Sequence, residues 1–61
     1  MKVGDLVRFR RPETDDENAI ALVVGTTSHP DVFEVLELSG LYKGVYVNAR
    51  DEDWEVISES R

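Results

Sequence analysis

Both ends of this chain spell a turn that feeds a short strand. It opens on Lys2-Val3-Gly4-Asp5-Leu6-Val7-Arg8-Phe9 and closes on Arg50-Asp51-Glu52-Asp53-Trp54-Glu55-Val56-Ile57. Gly4-Asp5 supplies turn chemistry. Val7 and Phe9 then alternate with Arg8 and Arg10, the period-two pattern of a strand with one face in water. Pro12 cannot donate to a ladder, so the first strand, begun at Val3, ends near Arg11. A chain that starts and stops this way is constrained to fold as a small sheet.

The residues between the ends extend that reading. Glu13 to Asn18 is polar and acidic with no periodicity, hence a loop; Asp15 or Asp16 could cap a helical turn, but the segment is too short for a stable helix. Ala19 to Gly25 is apolar on both faces and suits a central strand, with Ile20, Leu22 and Val24 expected inward and Ala21 outward. Thr26 to Asp31 is a loop punctuated by Pro30 and Asp31. Val32 to Leu38 forms a third strand whose phase slips, since Phe33 and Val35 share one face while Leu36 and Leu38 share the other. A β-bulge near Val35-Leu36 or burial of both faces accounts for the slip. Ser39 to Gly44 is a hairpin connection, and Val45 to Asn48 a fourth strand with Val45 and Val47 inward. Ala49 to Asp53 suits one 3₁₀ turn. Trp54 to Ile57 is the last strand, and the residues from about 57 to 61 should fray.

Size limits how such a chain is held together. Sixty-one residues make one domain, spanning 1–61, without room for a second core. Without cysteine there is no disulfide, and the lone His29 is a poor basis for a zinc site, so apolar packing has to hold the fold. The candidate core is Val3, Val7, Phe9, Ile20, Leu22, Val24, Phe33, Val35, Val45, Val47, Trp54 and Val56. No apolar run approaches the ~20 residues of a membrane span. Met1-Lys2 leads into a strand pattern rather than a signal peptide. A soluble, cytoplasmic protein is therefore expected.

Charge narrows the partners. The net charge is −6, but residues 1–12 carry Lys2, Arg8, Arg10 and Arg11 against Asp5, while the other acids gather behind them. An acidic domain repels phosphate backbones at long range, which disfavours nucleic acid, although the basic strand permits a local contact.

Catalysis finds little support. Ser28, His29 and Asp31 share one loop, and sequence neighbours do not normally adopt the nucleophile–base–orienter geometry of a triad. Asp15, Asp16 and Glu17 lack calcium-loop spacing. The expectation is a non-enzyme with no cofactor and no metal. The binding candidates are instead Arg8, Arg10 and Arg11 on the first strand, and Tyr42, Lys43, Tyr46 and Arg50 around the hairpin. Arginine forks suit carboxylates and phosphates alike. Exposed tyrosines offer large contact area at low entropic cost. Against this, the arginines could pair with the chain's own acids, and the tyrosines could pack on one another.

The opening Gly4-Asp5-Leu6-Val7 and the closing Asp53-Trp54-Glu55-Val56-Ile57 resemble those of small SH3-like β-barrel proteins, including short proteins encoded by bacteriophages. The resemblance implies an all-β fold: a single five-stranded SH3-like barrel with a 3₁₀ turn before the last strand. KOW-type domains share the opening strand, yet the basic glycine-containing loop they use on RNA is replaced here by acidic Glu13 to Glu17. The Ala-Leu-Tyr-Asp-Tyr and paired-tryptophan signatures of eukaryotic SH3 domains are missing. The expected function is a protein–protein interaction module of phage type binding a host or virion protein, as a monomer or weak homodimer. The alternatives are a nucleic-acid-binding KOW- or Sm-like module and a structural virion component.

Overall fold

A computed structural model describes residues 1–10 and 19–59. Among them the fold is all-β. The strands are β1 (Leu6–Phe9), β2 (Ile20–Thr26), β3 (Val32–Glu37), β4 (Tyr46–Arg50) and β5 (Trp54–Ser58), with a 3₁₀ turn at Asp51–Asp53 between the last two. All pairings are antiparallel, and the order across the single sheet is β4-β3-β2-β1-β5. The edges β4 and β5 are not hydrogen-bonded to each other, so the sheet is open and the expected barrel is not closed by its backbone. The acidic loop Glu13 to Asn18, with its candidate caps, lies outside the described residues.

The opening motif is a turn lock. The Asp5 N–H donates to the Lys2 carbonyl (3.0 Å) and Gly4 has φ +96°, the signature of a type II turn with glycine where left-handed backbone is required. The buried Asp5 carboxylate accepts the Lys2 N–H at 2.9 Å. Gly4 and Asp5 also bond Val23 of β2, through Gly4 N–H to Val23 O and Val23 N–H to Asp5 O. Gly-Asp therefore both turns the chain and docks it. Val3 sits in the turn, half exposed, and β1 starts only at Leu6.

Curvature follows from the last connection. The edges of a flat five-stranded sheet would stand about 19 Å apart, at roughly 4.8 Å per strand. Three residues of 3₁₀ turn span only ~6–8 Å, and they join the edge strands β4 and β5. The sheet has to curl. Accordingly Ala49 from β4 and Trp54 from β5 enter the same core cluster as Val7, Ala19, Ala21, Val23 and Val35. Phe9 packs its ring on Trp54, its cross-strand partner (centroids 5.2 Å apart), which ties the opening strand to the closing one.

Several inward assignments are corrected. In β2 the phase is inverted: Ala21 and Val23 are buried, whereas Ile20, Leu22 and Val24 are half-buried on the other side. Both faces of this strand are apolar, so alternation alone cannot choose. Register chooses, by pairing Val7 with Ala21 and Val23 with Val35. The tight interior then selects small side chains, and its largest fully buried residues are valines. Val45 (46% exposed) belongs to the hairpin, and Val56 (38%) lies opposite Val7 on an edge strand, open on one side. The slip foreseen in β3 is an irregularity on its neighbour: Val23 faces Val35 but Gly25 faces Glu34, leaving Val24 as the extra residue. Leu36 is half-buried as well, so both faces of the sheet carry apolar side chains. β5 runs to Ser58, which pairs with Leu6, instead of fraying at Ile57.

Gly44 makes the hairpin's exit. Its φ is +85°, its N–H donates to Glu37 O, and Val45 O accepts the Glu37 N–H, the two-against-one pattern of a glycine bulge. The stabilities of three variants in urea denaturation check this account. Val23→Ala should cost about 2–3 kcal/mol and Val24→Ala under about 1 kcal/mol, the reverse of the order expected with Val24 inward. Gly44→Ala should cost about 1–2 kcal/mol through backbone strain, because its Cβ would meet nothing within 4 Å.

Candidate functional site

The outer face of the sheet carries an apolar row. Strand register aligns Leu6, Leu22, Leu36 and Tyr46 on four adjacent strands. On one side of this row lie Arg8 and Ile20, which are paired, and Leu38, whose N–H bonds Ile20 O (2.7 Å). On the other side lie the paired Glu34 and Asn48, then Val32 and Arg50. The long aliphatic residues stand outside because the curled interior accepts only valine and alanine in quantity.

At the β3–β4 hairpin this apolar surface becomes open. Two successive turns build it, Lys43 N–H to Gly40 O (3.3 Å) and Val45 N–H to Tyr42 O (2.9 Å), with Gly40 and Gly44 both at positive φ. Ser39 Oγ accepts the Ile20 N–H at 3.1 Å and pins the hairpin's base to β2. Leu41 (69%), Tyr42 (54%) and Tyr46 (62%) project into solvent with Leu38 and Val45. More than half of each tyrosine surface is in water, so neither covers the other.

The predicted cations are not brought together. Arg8, on β1, pairs with Glu55, its cross-strand neighbour on β5. Arg10 is exposed just past β1, and its backbone N–H bonds Asp53 O (2.8 Å). Arg11 lies outside the described residues. Lys43 is exposed at the hairpin tip, while Arg50 ends β4 on the far side of the apolar row from Arg8. Arg50 borders a shallow depression of about 390 Å³ with His29, Asp31, Val32, Asp51 and Glu52, a lining with more carboxylates than cations.

His29 has a local role. Its Nδ1 accepts the Asp31 N–H (3.2 Å) and its own N–H donates to Thr27 Oγ1 (3.1 Å), while Thr27 Oγ1 donates to Val32 O (2.8 Å). These bonds hold the β2–β3 turn. Among the described residues no three metal-ligating side chains converge, and no helix is long and apolar enough to cross a membrane. Comparison of the chain with protein families, curated proteins and solved structures finds no match.

Sequence reasoning did not single out the outer leucines, which only register aligns. It read Asp5 only as a turn residue and passed over Glu37, and both are buried. For Glu37 a signal exists, because it shares the parity of Phe33 and Val35 on β3. The Arg8–Glu55 pair is open to water on both sides, so a double-mutant cycle with Arg8→Ala and Glu55→Ala should return a coupling of about 0.2–1 kcal/mol. That coupling should shrink in high salt.

Proposed function

We propose that this protein is a non-enzymatic interaction module that docks onto another protein through the β3–β4 hairpin. One observation carries the reading: of the eight large hydrophobic side chains exposed among the described residues, Leu38, Leu41, Tyr42, Val45 and Tyr46 belong to one hairpin. Clustered apolar surface with tyrosines and a neighbouring cation is the composition of a protein interface. Tyr42 and Tyr46 are the anchors, the leucines exclude water around them, and Lys43 lies beside them at the tip. In this reading the chain is a small SH3-like domain, and its partner is a host or virion protein of a phage. The scattered Arg8, Arg10, Lys43 and Arg50 offer no continuous track for a phosphate backbone, which favours protein over nucleic acid.

The test is capture on immobilised protein. The double variant Tyr42→Ala/Tyr46→Ala should lose the captured partner at unchanged thermal stability, and Arg8→Ala should retain it. Equal capture by the double variant would discard this face. Binding of short RNA or DNA at ~50 mM salt, steeply weakened by added salt, would favour the nucleic-acid reading.

A further inference from the structure

Among the described residues no strand pairs with the outer edge of β4, and this edge carries a second feature. Along β4 the backbone groups alternate between the β3 side and the outside. Val45 O and Asp51 N–H both bond the β3 side, to Glu37 N–H and Asp31 O. By that parity the N–H and C=O groups of Tyr46, Asn48 and Arg50 point away from the sheet. The same three residues place their side chains on the outer, exposed face.

Edge strands in monomeric proteins are normally blunted by charge, proline or a bulge. Here β4 begins after the glycine bulge, and Tyr46-Val47-Asn48-Ala49 carries no charge, proline or glycine. The strand's one charge is Arg50 at its end, and it pairs with β3 without a register shift. The other edge is different: β5 carries Glu55, follows the acidic turn Asp51–Asp53, and has a register shift where it pairs with β1. In a chain of net charge −6, β4 is an edge strand without carboxylates.

We propose that β4 pairs antiparallel with β4 of a second copy, around a two-fold axis through Asn48. Only an axis at Asn48 maps the three outward residues onto one another, Asn48 on Asn48 and Tyr46 on Arg50 of the partner. Every open backbone group of the three then finds a partner. Each Arg50 guanidinium lies across from a tyrosine ring of the other copy, a cation–π contact, and the axial residues are neutral amides. No like charges face each other across the β4 seam. The two five-stranded sheets become one, and each apolar row ending at Tyr46 abuts Arg50 of the other copy. The interface is isologous and closes at two. A second copy fits better than an acidic foreign strand because each β4 supplies both the cation and the ring that receives it.

The chain has no cysteine, which allows a direct test. Asn48→Cys should form a disulfide-linked dimer under mild oxidation, since residues in a hydrogen-bonded antiparallel pair have Cα atoms ~5.5 Å apart, within disulfide range. Glu34→Cys, on the same face one strand inward, should not, because β3 and its symmetry mate stand about 14 Å apart. Equal cross-linking of the two would overturn the pairing. In sedimentation equilibrium the unmodified protein should dimerise with rising concentration. Asn48→Lys, which sets two ammonium groups on the axis, should weaken the dimer about tenfold or more while keeping the circular dichroism spectrum of the folded sheet. An unmodified protein that stays monomeric at ~1 mM would also overturn it. This inference shares Tyr46 with the hairpin reading, and the readouts keep them apart: an Asn48→Lys variant that loses the dimer but still captures the partner supports both, whereas a dimer that Asn48→Lys leaves intact overturns the β4 pairing alone.

Discussion

The short bridge between the two edge strands governs this structure. Asp51–Asp53 joins β4 to β5, the opposite limits of the sheet. Three residues cannot cross the width of a flat sheet, so the sheet curls until its edges draw near. Trp54, placed immediately after the bridge, becomes the piece that fills the curl, its ring tilted against that of Phe9 from the first strand. The Gly4-Asp5 turn completes the arrangement by fastening the chain's beginning to Val23 in the central strand.

A tightly curled sheet has little interior, and that shortage shapes the surface. Ala19, Ala21 and Ala49 are buried with three valines, while leucines and isoleucine stand on the convex side. Placing larger aliphatic groups inside would over-pack the core. The outer apolar row is thus a consequence of curvature as much as of any partner, but where it reaches the hairpin and β4 it is no longer covered by neighbouring strands. Interaction surface and fold constraint have the same origin.

How much could be read beforehand varied by residue for physical reasons. The third and fifth strands, the 3₁₀ turn and the hairpin's glycines were legible, because proline, glycine and acidic turn residues mark ends locally. Val7, Val35 and Trp54 were legible as core because a charged residue beside each, Arg8, Glu34 or Glu55, marks the opposite face. Ile20, Leu22 and Val24 were not, because a strand that is apolar on both faces has no intrinsic inside. Tyr42 stood out as an exposed candidate from its place at the hairpin tip, and Tyr46 from its alternation with Val45 and Val47. The scattering of Arg8 and Arg50 to opposite sides of the leucine row needed the register.

By itself, then, the sequence determined an all-β chain, its turns, the chemistry of its exposed tyrosines and the uneven distribution of its charge. These are local properties, set by side chains acting on their own backbone and by period-two patterning. Tertiary structure decided which face of β2 became the interior, which leucines aligned, that Arg8 would meet Glu55, and that β4 would be left as an open edge without carboxylates. Those outcomes depend on pairing between distant segments. A one-residue change in register exchanges the two faces of a strand, so they are properties of the sheet and not of any strand within it.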